Sequence, residues 1–279
     1  MSRGDRVAVS GILSTSMRDN YGEYGVEEQY YKKVGSTYRN PHYPGIRLCL
    51  FSWLNKWWKM EHDRVKAFSE DDMMLLDMAA ADLGSGEATL AFIEWCTLGK
   101  RRHQQQKEQA EINGLPLPKK KQVIIPDLID DEFPRPQIMA ADPFTSTAYT
   151  ERTSFPCANL SFDDFAEGLL PTTRVDVSTG EAKALDVPED SPIVIEMVVC
   201  SFAMHLVENP SSLFTLLWEL SLKSRWLIIL APHKKPEIKD GWGWSKWDTE
   251  AWAESPMAQS KGEFIHERVH CRVYRSLNV

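Results

Sequence analysis

The chain has 279 residues, of which 43% are hydrophobic and 26% are charged. This is the composition of a globular protein with one large core, or at most two domains. The formal net charge of −8 argues against a general attraction to nucleic acids or anionic membranes. We interpret the short basic run Lys119–Lys121 as a solvated loop.

The cysteines indicate a reducing compartment. The five of them are widely spaced, and no two form a Cys-x-x-Cys pair, which favours free thiols over a disulfide framework or a zinc site. We therefore expect no bound metal. The N-terminus has no signal-peptide core, and the apolar stretch 192–207 contains Glu196 and His205 and is too short to span a bilayer. We predict a soluble intracellular protein, cytoplasmic or nuclear, with no membrane partner.

The first predicted element is an amphipathic helix within the N-terminal 60 residues. Leu48, Phe51, Leu54 and Trp58 recur at spacings of three and four, so they share one apolar face that needs a partner. We predict an N-terminal helical cap over residues 1–60, packed on a main domain over 61–279.

A tyrosine-rich stretch precedes this helix. It is either a lid over a bound ligand, with Tyr31 and Arg39 as substrate-binding residues, or a structural wrap. The sequence leaves both interpretations open. After the amphipathic helix, residues 61–76 are predicted to form a further helix.

From Leu75 onward, apolar runs alternate with helical stretches, which indicates a doubly wound α/β fold. Continuous apolar runs suit strands that are buried on both faces of a parallel sheet. The predicted strands are 78–82, 137–142, 157–161, 193–200 and 226–230, with closing strands within 263–274. The predicted helices are 87–100, 144–153, 162–170 and 210–223. The polar residues 101–134 are interpreted as a helix end followed by a mobile insertion.

The most informative segment is the glycine loop Asp82-Leu83-Gly84-Ser85-Gly86 between the first of these strands and its helix. Glycines permit a tight turn and a close approach to a ligand, and the helix that follows offers free N–H groups. The dinucleotide pattern G-x-G-x-x-G is not matched, because position 89 is threonine. The order D-x-G-x-G-x-A instead resembles motif I of the class I S-adenosylmethionine-dependent methyltransferases, with Ala88 in place of the last glycine.

This resemblance extends over about residues 75–235. It implies a doubly wound, mostly parallel seven-stranded sheet that binds S-adenosylmethionine, with Asp82, Gly84, Ser85 and Gly86 in the cofactor loop. It also implies that the acid ending the second strand accepts hydrogen bonds from the ribose hydroxyls. Asp142 fits this position, and Asp127 remains the alternative.

Further cofactor contacts are implied by the same resemblance. Pro143 and Phe144 follow the ribose-binding acid, and Phe144 would flank the adenine. Phe162 and Asp163 would lie near the adenine amino group, although Ser161 or Asp163 would also serve as a helix N-cap. Cys200 and Ser201 would line the methionine end.

The sequence also departs from the family pattern. The Leu-Lys-Pro-Gly-Gly turn common before strand five is absent, and Ser224-Arg225-Trp226 stands in its place. There is no Asn/Asp-Pro-Pro-Tyr/Phe tetrapeptide after strand four, which disfavours methylation of adenine or glutamine amino groups.

Two histidines are candidates for the acceptor side. His205 is the candidate general base, since imidazole titrates near neutral pH, and its alternative role is packing or helix capping. His233 follows the fifth strand at the ligand-binding edge and is a candidate substrate-binding residue. The leading hypothesis is a methyltransferase for a small molecule. The alternatives are an RNA or protein methyltransferase and a non-catalytic partner subunit.

Overall fold

The computed structural model describes residues 40–68, 73–78, 86–113, 124–185 and 194–279, without the side chains of 110–113. The α-helices are α1 (Tyr43–Lys66), α2 (Glu87–Asn113), α3 (Ser146–Thr153), α4 (Phe162–Ala166) and α5 (Pro210–Lys223), with a 3₁₀ turn at Met204–Leu206. The strands are β1 (Met74–Met78), β2 (Gln137–Ala141), β3 (Thr173–Asp176), β4 (Ala182–Ala184), β5 (Ile195–Ser201), β6 (Ser224–Ala231), β7 (Trp244–Asp248), β8 (Ala253–Ser255), β9 (Phe264–His266) and β10 (Val269–Ser276).

The strands join in one sheet with the order β4-β3-β2-β1-β5-β6-β10-β7-β8, and β9 pairs with β10. The four central strands β2, β1, β5 and β6 are parallel, whereas the outer pairs are antiparallel. The predicted α/β class is confirmed. The described residues form ten strands rather than the predicted seven, because short edge strands such as β4, whose residues are all exposed, carry no apolar pattern.

Helices cover both faces of the central sheet. Leu75, Val199 and Ile228 belong to the core beneath α1 and α2. Their sequence neighbours Leu76, Val198 and Ile229 belong to the core beneath α4 and α5. Because helices cover both faces, most positions of these strands are apolar, with the acids Asp77 and Glu196 among the exceptions, and this explains why the strands appear in the sequence as nearly continuous apolar runs.

Helix α1 is one continuous helix with Pro44 in its first turn, where a missing N–H is tolerated. It buries Phe51, Leu54 and Trp58, as the apolar spacing predicted. The separate helix predicted over 61–76 is wrong, because α1 ends at Lys66 and residues 74–76 belong to β1. A short apolar run cannot be assigned to helix or strand by periodicity alone.

Two predicted strands also differ in their extent. The strand predicted over 78–82 lies four residues earlier, as β1, and residues 79–85 lie outside the described part. The strand predicted over 157–161 is reduced to one parallel bridge between Ala158 and Ala141. It stops there because Ser161 already serves as the N-cap of α4.

The 101–134 segment has two described parts, and only the second packs against the core, since residues 104–109 of α2 are exposed. Helix α2 continues to Asn113, and residues 124–136 return along α1. Ile129 and Phe133 are buried, and the Phe133 ring lies 5.0 Å from the Trp58 ring. The Trp58 indole N–H donates to the Leu128 carbonyl at 3.1 Å.

A buried ion cluster joins α1 to the amino end of β5. Glu196 is 1% exposed, and it accepts two hydrogen bonds from Arg64 at 2.9 and 2.5 Å. The Trp57 indole N–H donates to the same carboxylate at 3.0 Å, and Arg225 lies 3.3 Å away. The acid that interrupts the apolar run of β5 is therefore satisfied by partners from neighbouring elements.

Candidate functional site

The carboxyl ends of β1, β2 and β5 meet at one edge of the sheet. Met78 is in register with Ala141 on one side and with Cys200 on the other. Asp142 and Ser201 therefore lie on either side of the point where the chain leaves β1. Ligands of open α/β sheets bind at this edge, so we take it as the candidate site.

Gly86 is the described end of the glycine loop, and the backbone there requires glycine. Its φ is +85°, which favours glycine. A Cβ at this position would lie 2.7 Å from Thr153 Cγ2 and 3.1 Å from the Tyr149 ring, so the chain enters α2 in close contact with α3. The predicted loop residues Asp82, Gly84 and Ser85 lie outside the described residues.

A chain of buried hydrogen bonds joins β1, α2 and α3 next to the glycine loop, and the sequence did not predict it. Asp77 in β1 accepts from the Thr89 amide at 3.0 Å and from its hydroxyl at 2.7 Å. The Thr89 hydroxyl also lies 2.8 Å from the Tyr149 hydroxyl. Thr89, which stands where the dinucleotide pattern has its third glycine, thus connects β1 to α2 and α3 through hydrogen bonds. The signal in the sequence was an acid inside the apolar run that forms β1.

Buried carboxyls are concentrated at this edge. Glu87, whose side chain is fully buried, pairs with Arg152 of α3 at 2.6 Å. Burial raises the pKa of Asp77 to about 6, a value that includes the lowering effect of the Thr89 hydrogen bonds and the raising effect of the Glu87 and Asp142 charges. Burial likewise raises the pKa of Asp142 to about 6. Asp77 and Asp142 are therefore mostly ionised only above about pH 6, and there they give the edge a negative charge.

Asp142 ends β2 and organises the turn that follows it. It is 1% exposed, and its Oδ1 accepts from the amides of Phe144 and Thr145 at 2.7 and 2.6 Å. Its Oδ2 accepts from the Thr145 hydroxyl at 2.5 Å. Pro143 is half-buried and Phe144 is 38% exposed. The alternative acid, Asp127, is exposed and lies in a segment without regular structure rather than at a strand end.

At the start of α4, the capping role belongs to Ser161 rather than Asp163. The Asp164 amide donates to Ser161 Oγ at 3.3 Å, and the Ser161 amide donates to Asp164 Oδ2 at 2.6 Å, which forms a capping box. Asp163 is exposed. Phe162 is half-buried and packs against the core beneath α4 and α5.

The end of β5 carries a strained residue beside the predicted Cys200 and Ser201. Cys200 is fully buried, and burial raises the pKa of its thiol to about 12. The buried Ser201 hydroxyl has no hydrogen-bond partner among the described residues. Phe202 has a φ of +56°, which is an outlier for a bulky side chain and a conformation that clusters at functional sites.

The described start of the chain reaches the same strand end. The His42 ring stacks on the Phe202 ring with their centroids 5.1 Å apart, and Asn40 is 4% exposed. The predicted substrate-binding residues Tyr31 and Arg39 lie outside the described residues.

The fold brings the two predicted histidines together. His205 lies in the 3₁₀ turn after β5 rather than on the following helix, and His233 lies in the loop after β6. Their rings meet edge to face with centroids 4.8 Å apart. Burial, followed by the charge of His205, lowers the pKa of His233, so His233 is neutral at neutral pH.

Within the described ranges, no group of three or more His, Cys, Asp or Glu side chains is arranged to hold a metal ion. The five cysteines are free thiols. None of the helices in the described part is both long and apolar enough to cross a membrane.

Comparisons with known proteins give one full-length relative. No family model matches the sequence. Uncharacterized protein C17A5.05c of Schizosaccharomyces pombe is 39% identical over 264 residues, which cover 95% of this chain and 93% of the relative. The chain belongs to the same family as this fission yeast protein. Because the match spans nearly all of both chains, the two family members share one fold.

A solved structure, that of DszA carbon methyltransferase, is similar at a TM-score of 0.35 and 11% identity, over 79% of this chain. The chain spans about half of that protein's length, 51%.

Proposed function

We propose that this protein is an S-adenosylmethionine-dependent methyltransferase that acts on a small molecule. The observation that carries the proposal is the arrangement at the carboxyl edge. The glycine entry to α2, Asp142 at the end of β2 and Ser201 at the end of β5 surround the exit of β1. These are the positions that the motif I resemblance assigns to a methyl-donor site.

The charge of the edge supports this ligand over a dinucleotide. Asp77, Glu87 and Asp142 are buried carboxyls, and Arg152 pairs with one of them. S-adenosylmethionine carries a sulfonium and an ammonium, which such carboxyls attract. The pyrophosphate of a dinucleotide would be repelled by the same groups.

The proposed contacts follow from these positions. Asp142 would accept hydrogen bonds from the ribose hydroxyls, and Gly84, Ser85 and Gly86 would let the backbone approach the ligand closely. Phe144, Phe162 and Asp163 would surround the adenine, and Cys200 and Ser201 would line the methionine end. The donor supplies a methyl group on a sulfonium, and the protein orients the acceptor in line with it. His205, packed against His233, would accept the acceptor's proton.

Two aspartates with the same local geometry provide a matched test. Asp176, like Asp142, is buried at a strand end and accepts from the amides two and three residues on, at 2.7 and 3.1 Å. Hydrogen bonds to a charged group contribute about 1.5–3 kcal/mol. Calorimetry should therefore give Asp142→Asn at least about tenfold weaker S-adenosylmethionine binding, with Asp176→Asn unchanged. Equal affinities for the two variants would contradict the assignment of Asp142.

A second candidate, a non-catalytic partner subunit, is favoured by one surface. Phe214, Trp218 and Leu222 are spaced by four on α5 and are 39%, 39% and 42% exposed. Such a stripe is typical of a protein interface. Donor binding without methyl transfer to any acceptor in a small-molecule screen would support this candidate.

A further inference from the structure

A cavity of about 800 Å³ lies between the loop after β6 and the segment before β9, and none of its lining residues belongs to the donor edge. The loop 232–243 after β6 and the segment 256–263 form its sides, and β7 and β10 form its floor. His233 immediately precedes Lys234, which lines the cavity and contacts Ser260 on the opposite side. The chain thus places the cavity next to the His205–His233 pair.

The floor of the cavity contains buried cations. Lys246 and Arg272 are 4% and 3% exposed. Lys246 pairs with Glu263 at 2.5 Å and also donates to the Gln259 carbonyl. A buried charge is costly unless it is paired. Glu263 balances only one of the two cations.

Arg272 has neutral partners. Its Nη atoms donate to the carbonyls of Lys234, Lys235 and Pro236 at 2.7 to 2.9 Å, and Nη1 lies 3.5 Å from the Tyr274 hydroxyl. Its Nε is buried with no hydrogen-bond partner in the described part of the chain. Arg272 therefore adds a positive charge to the cavity floor and keeps a buried donor that no described residue uses.

The remaining lining residues indicate which other chemical groups a ligand of this cavity would carry. The buried Glu263 Oε2 accepts no hydrogen bond from the described residues and has His270 Nδ1 at 3.8 Å, so its remaining acceptor capacity suits a hydroxyl or amine donor. Ile238 and Met257 also line the cavity and offer apolar contact. We propose that the cavity binds a small organic anion, with a carboxylate or phosphate toward Arg272, a hydrogen-bond donor toward Glu263 and an apolar body, and that this anion is the methyl acceptor. The acceptor role rests on the proposed function, whereas the anion site does not.

Binding of 3-hydroxy-2-naphthoate to the full chain, measured by calorimetry, tests the site. We expect binding of this carboxylate and at least tenfold weaker binding of the neutral 3-hydroxy-2-naphthamide. 3-Hydroxy-2-naphthyl phosphate shows whether the site prefers phosphate to carboxylate. Equal affinity for the carboxylate and the amide, or binding of none of the three, would overturn the proposal.

Two exposed lining residues allow variants that spare the buried floor. Lys234→Gln should weaken naphthoate binding about three- to tenfold, and Lys235→Gln, at an exposed neighbour that does not line the cavity, should not. Ala258→Trp should fill the cavity mouth and abolish binding. Ala253→Trp, exposed on β8 and outside the cavity, should leave it unchanged. Equal effects within either pair would overturn the assignment.

The same samples separate this proposal from the proposed function. Naphthoate binding that depends on Lys234, without any S-adenosylmethionine binding, would uphold the anion site and refute the acceptor role. S-adenosylmethionine binding without naphthoate binding would refute the cavity proposal alone. If both bind, saturating S-adenosylmethionine should not displace naphthoate, and competition between them would refute the acceptor role.

Discussion

At the scale of single residues, Asp77 and Asp142 make the stability of the folded protein depend on pH. Burial raises both pKa values from 3.8 to about 6, so the folded state holds these protons more tightly than the unfolded state. The protonated carboxyls contribute their full share to the free energy of unfolding below about pH 4. This contribution is lost as the pH rises through about 6. Each shift of about two units corresponds to about 3 kcal/mol.

Asp142→Asn should therefore remove part of this pH dependence. Urea unfolding of wild type and variant between pH 4 and 7 should show that the variant gains stability relative to wild type as the pH rises, by up to about 3 kcal/mol. The relative gain should level off above pH 6. A relative loss of stability over the same range would show that Asp142 stabilises the fold by being ionised.

Thr89 is the second residue whose role can be isolated. Thr89→Val keeps the shape of the side chain but removes the hydroxyl between Asp77 and Tyr149. Because this removes one of the two Thr89 hydrogen bonds to buried Asp77 and the contact with the buried Tyr149 hydroxyl, we expect a loss of about 1–3 kcal/mol in thermal unfolding. Thr150→Val is the control, since Thr150 is exposed and its hydroxyl donates to the Ser146 carbonyl within the same helix. Equal losses of stability for the two substitutions would show that the Asp77–Thr89–Tyr149 hydrogen bonds do not stabilise the fold.

The sequence predicted only part of this site, for a physical reason. The position of Asp142 directly after β2 was predicted because an acid that follows an apolar run is a local pattern. The pairs Thr89–Tyr149 and Glu87–Arg152 join residues 60 and 65 positions apart. Such contacts form only when the sheet brings α2 and α3 together, and no spacing rule predicts them.

At the scale of elements, the Glu196 cluster holds α1 against the amino end of β5. Arg64→Met removes a partner of a carboxylate that is 1% exposed, and breaking a buried pair costs about 3 kcal/mol or more. Urea unfolding should show this loss, whereas affinity for S-adenosylmethionine should not change, because the donor edge lies at the other end of β5.

The control for Arg64 is another α1 arginine. Arg47 pairs with Glu94 of α2 at 2.6 Å, but the two side chains are 29% and 36% exposed. Arg47→Met should therefore cost at most about 1 kcal/mol. Comparable losses for the two arginines would mean that burial of the Glu196 cluster adds nothing.

Elements with a strong local signal were predicted well. Helix α5 begins and ends at the predicted residues, Pro210 and Lys223, because Asn209 caps it by accepting from the Ser211 amide at 2.8 Å. The central strands β2, β5 and β6 followed from their apolar runs, whereas β1 was placed four residues too late. The β3–β4 hairpin was missed because its pairing with β2 depends on tertiary contact rather than on composition.

At the scale of the whole molecule, the net charge of −8 disfavours polyanions such as RNA, and the buried carboxyls disfavour a phosphate at the donor edge. The cavity floor has the opposite character, with Lys246 and Arg272 beneath an anion site. This separation supports a cationic donor at one site and an anionic acceptor at the other, and it disfavours RNA as the acceptor.

Titration of the full chain with S-adenosylmethionine, S-adenosylhomocysteine and NAD⁺ tests the central claim most directly. We expect one molecule of S-adenosylmethionine to bind per chain in the micromolar range, as is common for enzyme substrates. S-adenosylhomocysteine should bind at the same site, and NAD⁺ should produce no heat of binding. Binding of NAD⁺ without S-adenosylmethionine, or of neither, would contradict the account.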